Sequence, residues 1–302
     1  MIHKNKELKL IAIYFYICQK FETNLQYCCQ RFSNNNRPLF TDQEIMTVYL
    51  YIINQEQRFK IKQIYQFAYE HLSSWFPNLP SYAAFDNRLN RLNATFANLT
   101  TFLFEEFKPI DCSIDKSLLD SLPIITCSGK RSGKVAPEIT DKGYCSTKNM
   151  YYFGSKLHAL AFHRKHHLPF PEQLLITPAS ENDLNVYRQA WSRIDNRIFF
   201  GDKIYLNEEF FSQIELNHNS IMLTPVKGVK NQSQWEKYFN KAADDLFSEA
   251  VSKVRQPIES FFNWLIEKTD FQRASKVRST KGLLVHIFGK IAGAFIGLIF
   301  NS

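Results

Sequence analysis

Asp120, Asp202 and Glu259 are the acids whose surroundings in the sequence suggest chemistry, out of 29 Asp and Glu residues in a chain of 302. Asp120 interrupts the apolar run LLDSLPII, where alternation gives it a strand face shared with Leu118, Leu122 and Ile124. An acid on such a face is costly unless it is paired or bound to a metal. Asp202 directly follows RIFFG, which reads as a buried strand. It therefore falls at a strand's carboxyl end, where open α/β sheets place their sites. Glu259 lies four residues after Arg255, on the flank of a helical stripe formed by Val251, Val254, Ile258, Phe261 and Leu265. Pro257 predicts a kink or a helix start close to Glu259. Two aspartates on strands and a glutamate on a closing helix can hold two divalent metals about 4 Å apart, the arrangement that stabilises both oxygens of a phosphoryl displacement. Hard oxygen ligands suit Mg²⁺.

The tetrapeptide DKIY at Asp202 has an echo, DKGY at Asp141. The polar stretch SGKRSGKVAPEIT leads into Asp141 and reads as a Gly-rich loop, with no rigid element to fix a carboxylate. Asp141 is thus expected to be a decoy, and Asp111 and Asp115 to be solvated. Lys203 and Arg255, beside the acids, can hold phosphates as charge-assisted donors or balance the carboxylates. Lys156 and His158 share one face of a strand by alternation, Lys156 as a further candidate for DNA contact and His158 more ordinarily a packed strand histidine. The HRKHH run at His163 to His167 lacks the spacing of a tetrahedral zinc site. No P-loop pattern and no GxSxG elbow occurs.

The elements that must position these residues form two regions. Residues 1–107 read as all-helical, with a capping box at Thr41 and Glu44 and a helix opening at Ser81 that carries Arg88 and Arg91 on one face. That arrangement suits a helix-turn-helix-like DNA-binding domain. Residues 108–302 read as strand, hairpin, helix, strand, helix, strand and helix, an α/β pattern with a mixed sheet. Pro123 argues that the first strand is an edge or carries a bulge. Residues 227–245 read as loop, and a single long helix follows through Phe271. The apolar C-terminal stretch from Gly282 reads as a buried helix rather than a membrane span. Lys and Arg number 37 against 29 acids, a formal charge of +8, which favours a polyanionic partner. Six cysteines without a CxxC pair, and no signal peptide, point to reduced thiols and a cytoplasmic protein.

Four motifs, LLDSLPI, YYFGSKLHAL, FFGDKIY and RQPIESFFNWL, occur in an order that resembles the DDE transposases of bacterial insertion sequences, and insertion-sequence family 982 in particular. The N-terminal TDQEIMTVYLYI and FPNLPSYAAFDNRLNRL resemble that family's helical region. The resemblance covers residues 40 to 280. It implies an RNase H-like core, DNA cleavage at element ends with strand transfer, and a metal-binding triad of Asp120, Asp202 and Glu259. It also implies two Mg²⁺ ions (Mn²⁺ substituting), double-stranded DNA as partner and a homodimer in the DNA complex, nucleoid-associated in a bacterial cytoplasm. A related family carries Tyr-x2-Arg-x3-Glu-x6-Lys around the glutamate. Here Arg255 and Glu259 match, while Ser252 and Ile266 replace the tyrosine and lysine. Two other readings remain: a non-catalytic DNA-binding derivative of such an enzyme, and a standalone metal nuclease of the same fold.

Overall fold

The computed structural model describes residues 4–31, 38–130, 133–146, 148–226 and 234–300. Its helices begin with α1 (Lys4–Thr23), α2 (Asp42–Glu56), α3 (Ile61–His71), α4 (Tyr82–Arg91) and α5 (Asn93–Glu106). Then follow β1 (Lys116–Ser128), β2 (Asp141–Cys145), β3 (Met150–Phe162), β4 (Phe170–Pro178), α6 (Asp183–Ala190), β5 (Ile198–Phe200), α7 (Glu208–His218) and β6 (Ile221–Leu223). The chain closes with α8 (Gln234–Arg255), α9 (Pro257–Thr269), α10 (Thr280–Leu284) and α11 (Lys290–Phe300). There are two compact units, one of residues 1–107, 125–140 and 265–302, the other of 108–124 and 141–264. The stretch expected as one domain, 108–302, is therefore divided, and its C-terminal helices belong with the N-terminal ones.

In the helical unit α2 is buried without a break from Ile45 to Ile53, and α1, α3, α4 and α11 pack on it. Its start is fixed by the expected capping box: the Glu44 amide donates to Thr41 Oγ1 at 3.2 Å, and the Thr41 amide donates to the Glu44 carboxylate at 2.5 Å. The helix expected from Ser81 onward is interrupted at Leu92, so it forms α4 and α5, and Ser81 makes no side-chain cap. The stretch Thr280–Phe300 is long and apolar enough to cross a membrane by length and composition, yet 61% of its most apolar window is buried. It packs as a core helix, with Ile291, Ala292, Phe295 and Ile296 almost wholly covered.

Lys290 is buried at the start of α11, 2% exposed, and donates to the Asp270 carbonyl at 3.0 Å. Burial pulls its pKa down to about 7, against a smaller opposing pull from Asp270. Unfolded, the same lysine holds its proton up to its ordinary range, so between pH 7 and about 10 the unfolded chain binds more protons. Stability should therefore rise with pH through that window. Lys290→Met is expected to raise the thermal midpoint at pH 7 and flatten this rise. Calorimetry at pH 7, 8 and 9 checks both; an unchanged slope would refute the burial of a charge-sensitive lysine.

The second unit is built on a mixed sheet of order β2-β3-β1-β5-β6, with β4 paired to β3. The β1, β5 and β6 strands run parallel, while β2, β3 and β4 pair antiparallel. The expected hairpin of β3 and β4 is present. Leu119, Leu160, Phe199, Tyr205, Val186, Tyr187 and Trp191 form its core between sheet and α6. β1 is an internal strand, not an edge. Pro123 is tolerated because β5 pairs only with Lys116 to Leu118, so the missing amide lies beyond that ladder.

Three further expectations fail here. Residues 141–145, expected as loop, form β2, with Gly143 and Cys145 turned inward and Lys142 and Tyr144 outward. The stretch expected as loop to residue 245 is helical from Gln234; 227–233 lie outside the described residues. The single long helix is two, divided at Gln256, with the helix start that Pro257 predicted. Pro257 takes the first position of α9, where its absent N–H has no partner to lose.

Candidate active site

Register carries the two aspartates toward the same edge of the sheet. Leu118 of β1 lies opposite Phe200 of β5, and two residues further each chain reaches an acid, Asp120 and Asp202. Both acids therefore follow the paired segment at the sheet's carboxyl edge, Asp120 within β1 and Asp202 just past the end of β5. The Asp202 carboxylate accepts from the Lys203 amide at 2.6 Å, capping the 3-10 turn Lys203–Tyr205, and remains exposed. Asp120 is held by the Ser121 amide, which donates to it at 2.8 Å.

Glu259 comes to the same edge through Arg255. The division at Gln256 sets Arg255 at the end of α8 and Glu259 in the first turn of α9, while Ile258 and Phe261 anchor α9 in the core. Arg255 Nη1 donates to Asp120 at 3.0 Å and Nη2 to Glu259 at 2.6 Å. One guanidinium thus spans two carboxylates that are 139 residues apart in number only by sequence. A purely superficial Arg255–Glu259 pair would contribute tenths of a kcal/mol; here the same guanidinium also reaches half-buried Asp120. Burial pushes the Asp120 pKa up to about 6, Arg255 and the Ser121 amide pull it down, and Glu259 and Asp183 push it up again.

A fourth acid, Asp183, was not legible in the sequence as a site residue. It opens α6 behind the N-cap Asn182 and is 8% exposed. Its carboxylate accepts from Ser121 Oγ at 2.8 Å and from Lys156 Nζ at 3.0 Å, with His158 Nδ1 3.7 Å away. Lys156 also donates to the Glu181 carbonyl at 2.8 Å. His158 is fully buried, with Nε2 2.8 Å from Thr177 Oγ1, and burial drops its pKa to about 4, so it is neutral at pH 7. The expected shared face of Lys156 and His158 is therefore real, and Asp183 is what both face. The only sequence signal for it was an acid in a helix's first turn, which ordinarily marks nothing beyond the helix start.

Asp141 is not loose. It opens β2 and its carboxylate accepts from the Ser180 amide at 2.8 Å and from the Ser180 hydroxyl. Gly143 lies so close to Ala179 that a Cβ would stand 2.6 Å from that residue's carbonyl oxygen. The DKGY strand therefore clamps the turn that leads into Asn182 and Asp183.

The residues expected to meet DNA divide into two groups. Arg88 donates to the Phe40 carbonyl and to Asp42 at 3.2 Å, a partly buried structural role inside the helical unit. Lys156 and Arg255 are engaged with acids as above. Lys203 and Arg91 are exposed, although one Arg91 amine donates to the Cys29 carbonyl at 3.2 Å. Arg131 of the basic SGKRSGK segment lies outside the described residues.

Among the described residues no three His, Cys, Asp or Glu side chains converge closely enough to hold a metal ion. The donor set fits a hard divalent cation in kind, since Asp120, Asp202 and Glu259 offer only carboxylate oxygens. Asp120 and Glu259 already share one cation, the Arg255 guanidinium, so the pair is built to face positive charge. The Transposase DDE domain family matches residues 113–292, more than half of the chain and all of these acids. No curated protein and no solved structure matches it.

Proposed function

The chain belongs to the Transposase DDE domain family, and from that premise we propose that it is the transposase of a bacterial insertion sequence, similar to family 982. On this reading it cuts DNA at the element's ends and joins the freed 3′ ends to target DNA as a homodimer. The observation that supports it is that β1 and β5 run parallel and in register up to Leu118 and Phe200, two residues before Asp120 and Asp202, with Glu259 tied to Asp120 through Arg255. The sheet around them is the proposed RNase H-like core.

Asp120, Asp202 and Glu259 would hold two Mg²⁺ ions, which supply charge neutralisation at the phosphate and a more acidic water. Each carboxylate is fixed by its own element: Asp120 by the Ser121 amide, Asp202 by the Lys203 amide, Glu259 by α9. Arg255 must turn away from Asp120 and Glu259 for them to take a metal, and its guanidinium is then free to hold a phosphate in a forked pair. Exposed Lys203 supplies a second phosphate donor beside Asp202, and Arg91 a contact in the helical unit. Two in-line displacements on phosphorus, first by water and then by the 3′-hydroxyl, require no covalent protein nucleophile.

The test is Mg²⁺-dependent cleavage and joining with duplex DNA carrying the inverted repeats that flank the gene. Nicking at those repeats followed by joined products is expected. Binding without cutting would favour a DNA-binding derivative, and cutting without joining a standalone nuclease.

A further inference from the structure

The stretch FQRASKVRSTKG, residues 271–282, runs from the end of α9 into α10 within the helical unit. It holds four cations, Arg273, Lys276, Arg278 and Lys281, and no acid, so half of the chain's formal charge of +8 lies in twelve residues. An ordinary solvated surface mixes the two signs. Phe271 and Ala274 are buried and Val277 is half-buried, while all four cations are exposed. Among the described residues none of the four pairs with a carboxylate.

The backbone that carries them is held in place. The Ile125 amide donates to the Gln272 carbonyl at 2.9 Å, and the Ala274 amide donates to the Ile125 carbonyl at 2.9 Å. Arg278 Nη1 donates to the Ser275 and Val277 carbonyls at 3.0 and 2.7 Å, so this guanidinium braces its own loop. The Gly282 amide donates to Ser279 Oγ at 3.1 Å, which fixes the entry to α10. The Thr280 hydroxyl donates to Glu138, tying to this loop the segment that carries exposed Lys134.

We propose that residues 273–281 form the surface by which the helical unit docks on the phosphate backbone of duplex DNA. The inference rests on the transposase reading for its choice of polyanion, and it moves the main contact away from α4, where Arg88 is already engaged by Phe40 and Asp42. Lysines and arginines on a braced, acid-free loop meet phosphates without reading bases, so the contact fixes placement and is indifferent to sequence.

The test replaces Arg273, Lys276 and Lys281 together by alanine in the full-length chain and leaves Arg278 to brace the loop. Each lost phosphate contact makes the dependence of log affinity on log salt shallower by about 0.9. The triple variant is expected to keep the parental circular dichroism and thermal midpoint. Its salt slope should be shallower by about 2 to 3, and its affinity at 0.1 M salt about 100-fold weaker, for end-bearing and unrelated duplexes alike. Replacing Lys4, Lys60 and Lys62, exposed lysines of the same unit, removes the same charge and should change the slope by about 1 or less. An unchanged slope and affinity in the first variant overturns the proposal. Equal losses in the two variants also overturn it, since they would mark attraction by net charge alone. If the parent cuts end-bearing DNA while the first variant binds as tightly as the parent, only this surface is wrong; a parent that binds no duplex removes the transposase reading as well.

Discussion

Asp120→Asn should abolish cleavage and at the same time make the metal-free protein more stable. The folded state raises the Asp120 pKa from its ordinary value to about 6, mainly by burial, so above pH 6 it carries an ionised carboxylate that the unfolded chain accommodates more readily. The sign follows from the protons: between pH 4 and 6 the folded protein binds more of them, so stability falls as pH rises, and the cost is complete at pH 7. A shift of about two pKa units corresponds to about 3 kcal/mol as an upper bound, and residual solvent contact lowers it. Asparagine removes the charge, keeps the shape and leaves Arg255 its bond to Glu259. A gain of about 1–2 kcal/mol in urea unfolding at pH 7.5, beside a loss of activity of at least about a thousand-fold, is the expected pair of results. A destabilised variant would mean that the Arg255 bond, not charge burial, dominates this carboxylate.

The second large effect separates the two DKxY aspartates. Asp202→Asn should lose cleavage by at least about a thousand-fold, roughly 4 kcal/mol of transition-state stabilisation, with DNA affinity intact. Asparagine can still accept from the Lys203 amide, so the 3-10 turn should survive and circular dichroism should be unchanged. Asp141→Asn keeps an acceptor for the Ser180 amide and should retain activity within a few-fold, its cost confined to about 1 kcal/mol of stability. Complete loss of activity in a folded, DNA-binding Asp141→Asn would reverse this choice.

How the two aspartates were told apart bears on what a sequence discloses. Asp202 was legible because RIFFG is apolar enough to announce a buried strand, and strand order then fixed its place at the sheet's edge. Asp141 was misread as a loop residue because β2 is a five-residue edge strand with a polar outer face. Its strand character comes from pairing with β3 and from the approach of Gly143 to Ala179, neither of which leaves a local mark. What the structure adds is that the Asp141 carboxylate is engaged by Ser180, and the substitutions above are what test the choice between the two aspartates. The first half of α8 was missed because its sequence is rich in charged and polar residues. Asp183 was missed because its significance lies in Ser121 and Lys156, 62 and 27 residues away. Glu259 was legible through the proline that starts its helix, but the bridge from Arg255 to Asp120 was not, since sequence gives the spacing of Arg255 and Glu259 and nothing about the strand they face. Arg88 misled in the opposite direction: its helix face was right, but the partner on that face is Asp42.

The central claim is that Asp120, Asp202 and Glu259 act as one metal-dependent centre for cutting DNA. It is tested most directly by assaying Mg²⁺-dependent nicking of one end-bearing duplex by the parent protein and by Asp202→Asn, at protein concentrations that saturate DNA in both. Nicking at the repeat by the parent is expected, with none in EDTA and none by a variant that still binds the duplex. Cleavage by Asp202→Asn at the parental rate would contradict it.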